Sequence, residues 1–432
     1  MKSTFIFFSC LLLLCAGCSD RFLGLEPDIE GLENTFLKIY GGSYDQTGVA
    51  VMTLDDGFLL LGNTFSESSG QESQIYLVET DFEGITRKIQ VISTNEEAYE
   101  GRATSMIQTE DGGFLICGTS TRIVNPTAAW DSTDIWLVKL DGGLQVEWNE
   151  IIAPVPENEF GAAVQQGPDG SLYVLGTTAA IDENKSQQDP FQPDSTDLLL
   201  VKLDANNPGQ ILWRKTYGYS GVDKAKDLMV LDNGDLIILG STDYPESNTP
   251  NLEVLLIMVN EYGNAFNTQT VGSLDSGVDY IPASLSLSAD RSFFGITGAY
   301  REFGTDQTLF LTVDRNFQVL LSPQALPFTF GPPDNPFLAE ISRGIDIKAV
   351  PNDDNAFIIS GTVLTSDLLD IMLIEVSEQG GIVAEKSIGN EADETGGSFD
   401  FTDDGVVVIG TSIFLENTVM VLTRTNTSLE AL

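Results

Sequence analysis

Histidine is absent from this 432-residue chain. That absence removes histidine acid–base catalysis, the Ser-His-Asp triad and histidine metal ligation. Cysteine is scarce: of four, three (Cys10, Cys15 and Cys18) crowd the N-terminus, leaving Cys117 with no partner for an internal disulfide. Basic residues are few as well, 21 Lys and Arg against 64 Asp and Glu, for a formal net charge of −43. Such a field repels nucleic acid and anionic lipid surfaces. No phosphate loop, dinucleotide fingerprint or alternating Asp-x-Asp calcium loop occurs, and the S-x-D-x-G-x-T-W boxes of sialidase-type propellers are missing. Beyond an apolar run at residues 5–14, too short to span a bilayer, no segment approaches membrane-spanning length.

What is present is a repeat. Its clearest copy is Asp111-Gly112-Gly113-Phe114-Leu115-Ile116-Cys117-Gly118-Thr119, an acidic turn, four apolar residues, then glycine and threonine. Six further copies close on Gly62, Gly176, Gly240, Gly298, Gly361 and Gly410, so successive closing glycines stand 56, 58, 64, 58, 63 and 49 residues apart. A near-constant period above about 40 residues points to a propeller or another stacked array. Each period adds an apolar run before the turn, a second one such as Ile135-Trp136-Leu137-Val138-Lys139-Leu140-Asp141, and a third such as Ile211-Leu212-Trp213-Arg214-Lys215-Thr216-Tyr217. Four short strands per period, joined by Gly, Asp and Asn turns, predict antiparallel blades.

Closure gives a separate argument. The last period stops near Thr427 without an outermost strand, and the chain carries an orphan strand, Leu37-Lys38-Ile39-Tyr40, near its start. An N-terminal strand completing the last blade removes an exposed edge. The expected fold is all-β, a seven-bladed β-propeller of four-stranded antiparallel blades, with residues 36–432 forming one domain. Cys117, between Ile116 and Gly118, is expected in the core.

Residues 1–17 have the form of a secretory signal, ending in Leu14-Cys15-Ala16-Gly17-Cys18. This resembles the lipobox of bacterial lipoproteins, which implies lipidation at Cys18. Residues 18–35, acidic and polar, read as a flexible tether. Attachment to the membrane would then rest on acyl chains alone.

Two sets of residues are candidates for binding. An acid precedes the acidic turn by ten or eleven residues in six periods: Asp45, Glu100, Glu159, Asp223, Asp279 and Glu394, with Ser342 or Arg343 in the exception. A feature shared by nearly all periods reads first as structural, each acid accepting backbone N–H bonds from its own turn, so no cofactor is expected; the alternative is a ring near the channel mouth that could hold Ca²⁺ or a basic ligand. Elsewhere no metal site is expected, and the Asp-Gly turns are read as hairpins. The second set is aromatic: Trp130 and Phe191 near the tips of the longest loops, with Phe328, Phe330 and Phe337 between two blades, able to stack on a sugar or a peptide. Trp136, Trp148 and Trp213 lie in strands and are expected to pack.

The motif D-G-G-F-x-x-x-G-T, then D-x-W-L-V-K-L-D, then W-x-K-T-Y-G resembles propeller-like repeats of secreted and lipid-anchored proteins of Bacteroidetes-type bacteria. The resemblance covers nearly the whole chain after the leader and implies a fold and an envelope location, with no catalytic residue. At the level of fold the arrangement also looks like the propeller lipoprotein of the outer-membrane protein assembly machinery. The expected function is a non-enzymatic, monomeric, lipid-anchored envelope propeller, of the outer membrane, that binds a protein or peptide partner on its periplasmic or surface side. A glycan-binding propeller is the alternative, and a polysaccharide hydrolase or lyase ranks below both.

Overall fold

The computed structural model describes residues 36–42, 44–66, 72–94, 99–122, 133–152, 158–179, 196–205, 207, 210–243, 251–272, 277–330, 337–351, 353, 356–414 and 417–430. The leader, Cys18, the tether, Trp130 and Phe191 lie outside the described residues.

Seven four-stranded antiparallel sheets form the blades of a closed propeller. Their innermost strands are Asp45–Leu54, Tyr99–Gln108, Glu159–Gln166, Asp223–Val230, Val278–Leu287, Ser342–Ala349 and Glu394–Thr402. Each touches the innermost strand of the next blade, and the seventh touches the first, so the ring is complete. The seventh blade takes its outermost strand from the other end of the chain. Leu37–Tyr40 pairs antiparallel with Asn417–Asn426, Leu37 opposite Thr423 and Tyr40 opposite Met420. The expected closure is therefore observed.

The sequence pattern of each strand follows from its layer. A third strand such as Thr133–Leu140 has blades on both faces and is buried at every residue. The outermost strand Val146–Ile152 has one face in water, and only Asn149 and Ile152 are buried. Burial is organised between blades rather than around a centre. One cluster, with Leu59, Leu77, Ile116 and Trp136, joins blades one and two. Another, with Leu239, Phe294 and Leu311, joins blades four and five. Cys117 is fully buried between blades two and three, and burial pushes its thiol up to about 12. Trp136 is buried, donates to Asn149 Oδ1 at 2.6 Å, and fills the space that a side chain at Gly101 would need.

Every letter of the repeat has a local task. The turn acid accepts the N–H two residues on, as Asp111 does from Gly113 (2.9 Å) and Asp169 from Ser171 (3.0 Å). Gly112, Gly170 and Gly234, at φ near +80°, take the left-handed position between. The lysine of the W-L-V-K-L-D run returns to that acid: Lys139 lies 2.9 Å from Asp111, and Lys202 lies 3.0 Å from Asp169. The hydrogen bond from Thr109 and the contact with Lys139 hold the Asp111 carboxyl down at about 2. The final acid caps the next hairpin, with Asp141 accepting from Gln145 (2.8 Å) and Asp314 from Gln318 (2.8 Å). The closing glycine faces a β-bulge in the innermost strand, and all seven innermost strands carry one. A Cβ at Gly118 would stand 2.2 Å from the Arg102 carbonyl oxygen.

Candidate functional site

An innermost strand has a partner on one side only, so its free edge carries backbone N–H groups that need acceptors. Side chains from the preceding blade supply them. Asp227 accepts from Leu285 (3.0 Å), Asp346 from Phe399 (3.3 Å), Ser286 from Ala349 (3.0 Å), and Ser398 and Asp400 from Val51 and Thr53 (3.1 and 2.8 Å). The threonine of the G-T pair makes a second set of these latches. Thr119, Thr177, Thr362 and Thr411 accept from the bulge residues Gly161, Ala225, Gly396 and Gly48 of the following blade, at 2.9–3.0 Å. In blade one Asn63 does the same for Ala103 (2.7 Å).

The six acids divide over two registers. Counted back from its bulge, each innermost strand has a buried position two residues earlier, and Glu159, Asp223 and Glu394 occupy it. Asp45, Glu100 and Asp279 stand one residue further back. Because strand side chains alternate, that one-residue difference separates the six into two environments. The first group is held within its own blade. Asp223 accepts from the Tyr219 N–H (2.6 Å), Glu394 from the Asn390 N–H (3.1 Å) and the Ser412 hydroxyl (2.8 Å), and Glu159 faces Arg214 at 3.3 Å. Burial raises the carboxyls of Asp223 and Glu394. The second group reaches across to the start of the preceding blade's third strand or the residue before it: Asp45 to the Thr418 N–H (2.7 Å), Glu100 to the Ser73 N–H (3.4 Å) and Asp279 to the Leu252 N–H (2.9 Å). Asn158 and Asp393 complete this set, on Thr133 and Leu369, and sequence spacing missed both. In the exceptional sixth period Ser342 accepts from Thr308 (2.9 Å). Backbone N–H groups thus hold five of the six acids, across blades as well as within turns. Among the described residues no group of three or more Cys, Asp or Glu side chains is arranged to hold a metal ion.

Between latch and bulge lies one position that no structural rule constrains. It holds Thr47, Arg102, Phe160, Lys224, Ile281, Arg343 and Thr395, all exposed or half-buried at the heads of the channel-lining strands. Arg102 lies over the Phe65 ring, 4.9 Å from its centroid. Arg343 and Arg301 converge on one carboxylate, Asp306. Of the aromatics between blades five and six, Phe328 is buried in the joining core, whereas Phe330 and Phe337 stack on each other at 5.8 Å, with Phe337 exposed. Trp148 and Trp213 pack against blade cores.

No family model matches the chain, and no curated protein does. Solved structures do superpose on it. A polysaccharide lyase described as an ulvan lyase, bound to -[GlcA(1-4)Rha3S]-, has a TM-score of 0.56 at 11% identity, covering 90% of this chain and 96% of its own. The S511A mutant of a puromycin hydrolase has a TM-score of 0.50 at 12% identity, covering 87% of this chain and 53% of its own. A protein of unknown function from Dyadobacter fermentans has a TM-score of 0.49 at 12% identity, covering 77% and 96%. At these identities the likeness is one of fold. The class defined here is the closed seven-bladed β-propeller, an architecture that hosts many unrelated activities and by itself assigns none.

Proposed function

We propose that this chain is a non-enzymatic envelope propeller, lipid-anchored through Cys18, that binds a protein or peptide partner at the mouth of its channel. One observation carries the reading. The positions that build the ring recur from blade to blade, while the exposed or half-buried position between latch and bulge changes in kind around it, from threonine through arginine, phenylalanine, lysine and isoleucine. A near-symmetric scaffold with an asymmetric rim suits one asymmetric partner. The lack of histidine, and the engagement of the channel carboxylates Asp227 and Asp346 with backbone N–H groups, support a binding role over a catalytic one. Phe160, exposed between Arg102 and Lys224 in the same register, favours a second reading in which the occupant is a glycan.

The test is a crosslinked pull-down of the native lipoprotein from its own envelope, read by mass spectrometry. A stoichiometric partner lost from the triple variant Arg102→Ser, Phe160→Ser, Lys224→Ser supports the proposal. A partner that survives those changes, or no partner from solubilised membranes, overturns it.

A further inference from the structure

The channel strands of blades four, five and six come close together near their bulges. The Ser284 hydroxyl lies 3.1 Å from both Asp227 and Asp346, which belong to the blades on either side of its own. Just before these carboxylates in their strands stand Lys224, Lys226 and Arg343. Lys226 is half-buried. Neither lysine makes a hydrogen bond or ion pair among the described residues, while Arg343 shares Asp306 with Arg301. Burial, with Lys224 and Arg343 close by, pushes the Lys226 ammonium below its ordinary value. In a chain with 64 acids, two lysines that form no ion pair among the described residues, beside an arginine that shares its carboxylate, leave cationic charge open to an anion.

We propose that Lys224, Lys226 and Arg343 form a binding site for a single carboxylate, supplied by the free C-terminus of the partner polypeptide. This rests on the proposed function only in taking the channel mouth as the ligand face. The charge balance argues for one carboxylate rather than many. The local cations act within a Debye length of about 8 Å at physiological salt, whereas an acidic peptide or polyuronate would bring its other charges against the −43 surface. A neutral chain with one terminal carboxylate meets the cations and little of the repulsion.

The experiment uses the full chain, with calorimetric titration of a mixed tripeptide pool bearing free C-termini, the same pool amidated, and glucuronate. The free-acid pool should bind at least about tenfold more tightly than the amide, and Lys226→Gln should remove that difference. Because this substitution relieves like-charge repulsion, the variant should fold with an unchanged or higher melting temperature, so lost binding will not reflect lost structure. Equal affinity for acid and amide, or a preference that survives Lys226→Gln, overturns the site. Binding of glucuronate without the peptides overturns its assignment to a polypeptide terminus. A partner recovered from the envelope despite failure of the pool would remove this inference and leave the wider proposal standing; carboxylate binding with no envelope partner would do the reverse.

Discussion

Asp227 is the residue whose ionisation should be felt most in the stability of the ring. It lies in the channel wall beside Asp346, accepts the N–H groups of Leu228 (2.8 Å) and Leu285 (3.0 Å), and burial lifts its carboxyl from the ordinary 3.8 to about 6. The folded state therefore holds this proton more tightly than the unfolded chain does. Below about pH 4 both states are protonated and the group is neutral in its effect. Between about pH 4 and 6 the unfolded chain loses its proton first, and folding stability falls as pH rises; above about pH 6 the full penalty applies. A rise of that size corresponds to about 3 kcal/mol, an upper bound because water reaches the channel. Asp227→Asn removes the titration at a fixed cost, since the two N–H groups bond to separate carboxylate oxygens and the amide keeps only one acceptor oxygen, and at about pH 4 the variant should be weaker by about 1–3 kcal/mol. Moving to about pH 8 should then swing the difference toward the variant by up to about 3 kcal/mol. Every other carboxyl is common to both chains, and Asp346, relieved of its neighbour, adds in the same direction. Urea unfolding of the two proteins across that range, compared at matched slopes, reads the swing directly. A difference independent of pH would show an unshifted carboxyl, and one that moves against the variant as pH rises would show Asp227 stabilised as an anion; either refutes the argument.

Two further expectations concern how the ring is held. Thr177→Val keeps the volume but leaves the Ala225 N–H without its acceptor, and should cost about 1–3 kcal/mol in urea unfolding, whereas Thr64→Val, whose hydroxyl only meets the Gln46 side chain, should cost less. A chain beginning at residue 41 loses the closing strand and the buried Tyr40, whose hydroxyl donates to the Gly84 carbonyl (2.8 Å). It should lose at least about 3 kcal/mol and, with Asn417–Asn426 left as an open edge, associate with rising concentration in sedimentation runs; a monomer as stable as the full chain would refute the closure argument.

The architecture was legible because the repeat encodes turns and layers, and both are local. Asp111, Gly112 and Gly118 announce a hairpin and a close approach wherever they recur, and the orphan strand at residues 37–40 could be matched to the missing one. What could not be read was which way a side chain faces. A β-bulge adds one residue to the innermost strand without altering its hydrophobicity, so acids ten and eleven residues before the turn looked equivalent. Asp45 and Glu159 show the consequence: one reaches across to Thr418 of the neighbouring blade, and the other is buried against Arg214. The threonine of the G-T pair was visible as a letter, but its partner lies in the next blade, 42 residues away for Thr119 and 363 for Thr411. The grouping of Lys224 and Lys226 with Arg343 was not legible because the lysines of the fourth period and the arginine of the sixth carry no joint spacing signal. Only the ring brings Arg343 to the two lysines.

The latches made by carboxylates and serines, as distinct from those of the threonines and Asn63, are unevenly distributed, and this predicts where the ring opens. Asp227, Ser286, Asp346, Ser398 and Asp400 satisfy channel-facing N–H groups at the junctions from blade four round to blade one. In blade one the residue equivalent to Asp227 is Ala50, which has no acceptor to offer. In blade two it is Ser105, whose hydroxyl accepts no such bond among the described residues. The N–H groups of Met106 and Val164, equivalent in register to Leu285, accordingly have no side-chain latch among the described residues. Protection from hydrogen exchange reflects how often a segment opens locally, so Met106 and Val164 should exchange faster than Leu285 and Phe399 in the same molecule. All four stand just after the bulge of an innermost strand, which makes the comparison internal to the fold. Introducing the missing acceptor by Ala50→Ser should slow exchange at Met106 and leave Val164 unchanged. Uniform protection around the ring would mean that packing between blades, and not the latches, sets local stability, and the carboxylates of the channel would then need another explanation.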